Sequence, residues 1–368
     1  MPIGGISMPI GAMTRTLKFI LSLVLIAGLY IAWLWFRPIG QFPELQCEHR
    51  ALTYNGQPLI GAEDMAYDSL NQQIYISAYD RDSKNAGGIY RWNITQKDAE
   101  VSRLDLPHTN PNAYWPHGFD LQRDDTRLRL SIIERDLNQS GDLNAHISHY
   151  IIAEDETITL SKRLKNKALC SANNLATGAN GSRNIDIPQS LYITQDHQSC
   201  HKKKQIIADI FNPHGAALLH WQENEPENIM ERLAYANGIA QTSKALYLAE
   251  TRADRLTLLN LSEQTKTEKL GEISLPGGPD NLTSDETTII AALHPNLIRY
   301  AAFRAGWGPR VKSRFSIISA GNDIKTYDLS ADLLSGATVA LRARNHIYLG
   351  AAFDKGIAAC ELPEGDYE

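Results

Sequence analysis

The chain has 368 residues, 43% hydrophobic and 21% charged, enough to bury one large core or two ordinary ones. Its formal charge of −6 argues against a nucleic-acid partner, because phosphate recognition is driven by clustered Lys and Arg. The run of consecutive basic residues HKKK, at 201–204, reads as a solvated hairpin tip.

From Phe19 to Phe36 the chain reads FILSLVLIAGLYIAWLWF, an uncharged apolar stretch near the length a membrane-spanning helix requires. Arg15 and Lys18 precede it, so the positive-inside tendency makes residues 1–18 a cytoplasmic tail and sends the rest to the periplasmic or extracellular side. The stretch is long for a cleaved signal and no small-x-small site follows it. An uncleaved signal anchor over 19–36 is therefore expected, then a linker over 37–46 and a folded domain over 47–368. Met8 and Met13 are alternative starts.

Beyond the linker, short apolar runs recur: IYISAYD from 74, LRLSII from 128, LYITQDH from 191, LYLAETR from 246, TIIAALHP from 288 and IYLGAAF from 347. Each is rich in β-branched or aromatic residues and bounded by Gly, Pro, Asn or Asp, which is how buried strands read; helical periodicity is weak. A repeat of this length built from several short strands predicts an all-β fold, a six-bladed β-propeller.

Four cysteines, Cys47, Cys170, Cys200 and Cys360, suit an oxidising compartment and allow three connectivities, none with metal-site spacing. A Cys47–Cys360 pair would tie the ends of the domain together where a ring must close, leaving Cys170 for Cys200.

About ten residues before most runs lies an acid, amide or imidazole: Glu63 and Asp64 in GAEDMAYD, His117 in WPHGFDL, Asn173 and Asn174 in SANNLAT, Asn237 in YANGIA, Asp280 and Asn281 in GPDNLT. Turn chemistry accounts for each alone. In a propeller, however, one phase of the repeat is one radius, and the start of the innermost strand faces the central channel, so these side chains should converge. Carboxylate and amide oxygens without thiolates form a hard-cation set, and calcium tolerates such mixed, flexible ligation better than magnesium.

At these residues the chain resembles the paraoxonase/arylesterase family of calcium-dependent lactonases. The resemblance runs from about Cys47 to Leu362 through GAEDM, WPHG, SANNLAT with LYITQDH, YANGIA, PDNLT with HPN, and the terminal CEL. It implies a six-bladed propeller, a disulfide joining the ends, an uncleaved N-terminal hydrophobic segment and two channel calciums. Carried over by match, it implies that Glu63, Asn173, Asn237, Asp280 and Asn281 hold a catalytic calcium. Asp64, the backbone carbonyl of Phe119 and Asn174 would hold a structural one. The family has Asp where Asn174 stands, and losing that charge weakens the second site. His117 matches the histidine that activates water. The family's second histidine is missing, and Glu134 or Arg135 occupies its stretch. His294 matches a further channel histidine and is the other catalytic candidate.

The expected activity is that of a carboxylic ester hydrolase acting on lactones or aryl esters, with calcium polarising the carbonyl and His117 activating water. No G-x-S-x-G elbow is present. Two other readings are a sugar lactonase of the gluconolactonase or regucalcin type and a membrane-anchored binding module without catalysis. Tyr114, Trp115 and Trp307 mark loops at the pocket rim. His214, in a second Pro-His-Gly string, is expected to be structural.

Overall fold

Six four-stranded antiparallel sheets follow one another around a closed ring, the inner strand of each touching that of the next and the sixth touching the first. The structure is a computed structural model. It describes residues 10–363 except 84–85, 97–98, 108, 110–113, 125, 138–142, 179–189, 212–213, 223–224, 261–267, 286 and 320. Met8 lies outside the described residues.

The inner strands are Ala62–Asp68, Trp115–Arg123, Ala172–Thr177, Ala236–Gln241, Gly278–Ser284 and Ala337–Ala343 in blades one to six. The recurrent apolar runs are the second strands, Gln73–Ala78, Leu128–Leu137, Ser190–Gln195, Leu246–Glu250, Ile289–His294 and His346–Ala351. They lack a polar face because each blade is covered on both sides. In blade five, Ile290 and Ala292 join the cluster shared with blade six, while Ile289, Ala291 and Leu293 join the one shared with blade four. The two-residue period of a strand thus divides one apolar run between two neighbours. Six such clusters, one per blade interface, form the core.

The ring closes by a strand from the far end of the domain. Cys47–Arg50 pairs antiparallel with Ile357–Glu361 as the outer strand of blade six, placing Cys47 opposite Cys360, and the two are disulfide-bonded. Cys170 pairs with Cys200.

Helix α1 spans Ile10–Phe36, so it reaches back into the segment expected to be a tail; Leu17–Phe36 is long and apolar enough to cross a membrane. Helix α2, Lys202–Phe211, replaces the hairpin tip expected at HKKK. Lys, Gln and Ala favour a helix there, and neither Gly nor Pro interrupts the chain before Pro213. Helix α3, Leu297–Arg304, was also not legible as helical. Its N-cap, Asn296, accepts from the Ile298 and Arg299 amides at 3.1 and 3.0 Å.

Helices α1 and α3 meet: Asn296 Nδ2 donates to Leu34 O at 2.9 Å and Arg299 Nε to Trp35 O at 2.8 Å, satisfying carbonyls that a helix C-terminus leaves open. Residues 37–46 then run along blade five. Buried Arg314, paired with Asp328 at 2.6 Å, donates to the Ile39 and Pro276 carbonyls, and Phe42 lies over its guanidinium.

Candidate channel site

All six inner strands break register with their second strand at one place. The slips fall between Ala62 and Asp64, Pro116 and Phe119, Ala172 and Leu175, Ala236 and Ile239, Pro279 and Leu282, and Ala337 and Val339. The residues left out of the ladders are Glu63, His117, Gly118, Asn173, Asn174, Asn237, Gly238, Asp280, Asn281 and Thr338. A bulge frees a residue from pairing and re-aims its side chain. Here it does so at one radius in every blade.

Two of the bulged positions are glycines because the strands crowd together. A Cβ on Gly118 would lie 2.6 Å from Asn173 O, and one on Gly238 would lie 2.5 Å from Asp280 O.

The polar side chains expected at this phase are buried and joined across blades. Glu63 Oε2 accepts from His117 Nδ1 at 2.5 Å and lies 3.3 Å from Arg81 Nη2. Asp280 takes Asn237 Nδ2 at 2.5 Å on one oxygen and His294 Nε2 at 2.7 Å on the other. Asn281 Nδ2 donates to the main-chain oxygen of Glu63 at 2.9 Å, and Thr338 Oγ1 donates to the same oxygen at 3.0 Å. Thr194 Oγ1 accepts from the Asn174 amide at 2.9 Å and donates to Asn237 O at 2.5 Å, tying blade three to blade four.

Part of this set suits a hard cation, although Asn174 Nδ2 occupies Asn281 Oδ1 at 2.9 Å and both Asp280 oxygens accept hydrogen bonds. Asn173 Oδ1 is buried with no hydrogen-bond partner, an acceptor lacking its donor, in the same ring as the Glu63 and Asp280 carboxylates. Among the described residues no three His, Cys, Asp or Glu side chains form a metal cluster, so an ion here would depend on amide oxygens as well as on the two carboxylates. The second set is engaged in hydrogen bonds of its own. Asp64 accepts from the Met65 amide at 2.9 Å and from the Phe119 amide at 3.0 Å; Phe119 thus offers it an N–H. Asn174 turns its NH2 toward Asp64 and Asn281, and its oxygen is taken by the Leu175 amide at 2.7 Å.

Charge at the site is tightly balanced. Burial alone would raise the Glu63 pKa, but His117 and Arg81 bring it down to about 2. Burial, then the Glu63 charge, pushes Asp64 well up. Burial, then Arg135, holds the His117 imidazole below its usual range and so neutral near pH 7.

The question left between Glu134 and Arg135 has a geometric answer, since adjacent strand residues face opposite ways. Glu134 turns toward the next strands, where Ser148, Tyr150 and His146 bind it at 2.7, 2.8 and 2.6 Å. Arg135 reaches Ala172 O and lies 3.8 Å from Asp196. His117 takes its partner from Glu63 instead.

Residues just past or at the ends of the second strands form an outer layer that the sequence reading missed apart from His294: Arg81, Asp196, Thr251 and His294. Asp196 accepts from Asn173 Nδ2 at 3.3 Å and from His197 at 2.8 Å, and Thr251 bridges Asn237 and Pro279 O. Their signal was present at the ends of YISAYDR, LYITQDH, LYLAETR and AALHP, one strand beyond the phase that was read. His294 stacks on Tyr300 with centroids 3.7 Å apart. Both line a cavity of about 340 Å³ bounded also by Trp35 and Arg299. Of the expected rim aromatics, Tyr114 is core between blades one and two, while Trp307 is 82% exposed. His214 sits exposed in a turn.

A family model described as Arylesterase matches residues 76–362. No curated protein is a significant match to the chain. Among solved structures, regucalcin from Agrobacterium tumefaciens, described as a calcium-binding protein, is 11% identical with a TM-score of 0.51, covering 89% of this chain and 99% of its own. A catalytically inactive virginiamycin B lyase from Staphylococcus aureus is 12% identical with a TM-score of 0.50, covering 87% and 100%. At such identities these two share the fold.

Proposed function

The chain belongs to the arylesterase family, and from that premise we propose that it is a calcium-dependent hydrolase of lactones or aryl esters. The observation that supports the reading is the ring of bulged polar residues, in which buried Asn173 Oδ1 has no hydrogen-bond partner and buried His117 is fixed by Glu63.

In this reading Glu63, Asn173, Asn237, Asp280 and Asn281 would hold the ion, Asn281 by releasing its bond from Asn174. When bound, calcium supplies Lewis-acid polarisation of the ester carbonyl and offsets the charge developing on its oxygen. Glu63 fixes the His117 ring through Nδ1, so the proton sits on that nitrogen and Nε2 is left as the base toward water. Because burial keeps the imidazole neutral, it can accept that proton near pH 7. Asp280 orients His294 in the same way, making His294 a positioning group on the channel wall. We assign α1 as a membrane anchor with the propeller on the outer, oxidising side; Arg15, Lys18 and the two disulfides support that orientation.

The test is a calcium titration of the purified chain beside a lactone and aryl-ester panel. Saturable calcium binding, turnover abolished by chelator and restored by calcium, and weakened binding in Glu63→Gln are expected. Undiminished turnover in chelator would end the reading.

A further inference from the structure

A guanidinium sits beside the reacting groups, where neither ion binding nor general-base chemistry calls for one. Arg81 lies just after the second strand of blade one, and its side chain is 14% exposed. Its position does not depend on Glu63 alone. The guanidinium lies over the Tyr79 ring at 4.0 Å and over Phe353 at 5.5 Å, and Nη1 donates to the Ala352 carbonyl at 3.1 Å. It also lies 3.3 Å from Glu63 Oε2, the oxygen that His117 uses. The cation therefore stands one carboxylate oxygen away from the base.

Its surroundings are both flat and cationic. Phe353 carries a second guanidinium, that of exposed Arg304, at 5.5 Å, and Tyr300 of the same helix stacks on His294. Of the two carboxylates of the ion set, Glu63 lies 3.3 Å from Arg81, and Asp280 acts on it through its charge alone. A divalent ion held by those carboxylates would leave a buried guanidinium facing added positive charge. Buried charges are retained when they are paired, and a ligand anion would complete the balance. Aromatic faces with a planar, forked donor match a carboxylate on a flat scaffold better than a point-like anion.

Building on the hydrolase reading, we infer that Arg81 is a specificity residue. The preferred substrate is an aromatic or similarly flat ester or lactone bearing a second, non-reacting carboxylate, which Arg81 holds while the scissile carbonyl faces His117.

Two aryl acetates and one ligand test this on the full calcium-supplemented chain: phenyl acetate, 4-acetoxybenzoate, and 4-hydroxybenzoate, whose binding is measured by calorimetry without turnover. A charge-assisted hydrogen bond of this kind predicts a kcat/KM ratio favouring 4-acetoxybenzoate by about tenfold to a hundredfold, expressed mainly in KM. Arg81→Met should bring the ratio to about one and weaken 4-hydroxybenzoate binding by a similar factor, and Arg81→Lys should restore part of both. Equal losses on the two acetates in Arg81→Met would mean that the residue only steadies Glu63, and would overturn the inference. So would a wild-type preference for phenyl acetate. If neither acetate is hydrolysed yet 4-hydroxybenzoate binds in an Arg81-dependent way, the hydrolase reading fails and the anion site stands; absent binding and absent preference together remove the site.

Discussion

Thr338 Oγ1 donates to the main-chain oxygen of Glu63 across the seam where the last inner strand meets the first. It is the sixth member of the bulged ring, buried at 2% exposure, and it holds the backbone that presents the Glu63 carboxylate. Replacing it with Val leaves that oxygen to Asn281 alone. A loss of about 1–2 kcal/mol in stability follows, together with weaker calcium binding, while Thr338→Ser retains both. Thermal unfolding and a calcium titration of the two variants check this.

Gly118 bears on how closely blades two and three approach. A Cβ there would meet Asn173 O at 2.6 Å and Asn174 Cα at 2.7 Å, both of them backbone atoms. Gly118→Ala should therefore cost about 1–3 kcal/mol and displace Asn173, lowering calcium affinity as well. Gly271→Ala, where nothing lies within 4 Å, is the control and should leave both measurements unchanged.

The Cys47–Cys360 disulfide spans 313 residues of sequence. In the chain-entropy account, a loop of that size restricts the unfolded state by roughly 6 kcal/mol. Cys47→Ser with Cys360→Ser should unfold at a markedly lower denaturant midpoint than Cys170→Ser with Cys200→Ser, which opens a 30-residue loop. Equal midpoints would contradict the role of the first pair as the clasp of the ring.

Away from the channel, His149 offers a pH test. Burial, then the Arg129 and Lys162 charges, depresses its pKa from 6.5 to about 3, and Ser131 bonds its Nδ1 at 2.8 Å. Above the unfolded pKa both states are neutral and the full stability is present. As the pH falls below 6.5 the unfolded chain takes up a proton that the folded chain resists, so stability falls by up to about 1.4 kcal/mol per unit toward pH 3. His149→Asn should flatten that acid limb in urea titrations between pH 6 and 4. An unchanged slope would show that the histidine is not its source.

Much of this was legible because a strand buried on both faces and a bulge at one phase both leave periodic traces, as IIAAL in blade five and PDN before it show. Thr338 escaped because a lone hydroxyl does not stand out as an acid or amide does. Arg81 and Asp196 escaped because they reach the site from the second strand's end, a position that only the ring brings near the first. Glu134 and Arg135 could not be separated from sequence because one residue of register exchanges the faces of a strand. Helix α2 was misread from its charge, although its residues favour a helix.

The grip of Asn296 and Arg299 on the last carbonyls of α1 also decides how the propeller would be carried. Ten unattached residues of flexible chain would let a cargo wander roughly 15–20 Å from its post. With 37–46 laid along Arg314 and Asp328 that slack is gone, and His294 stands two residues from the grip. A bilayer around α1 would therefore hold a fixed mounting rather than a leash: height and tilt of the channel would follow those of the helix, and any lipid that tips one would tip the other.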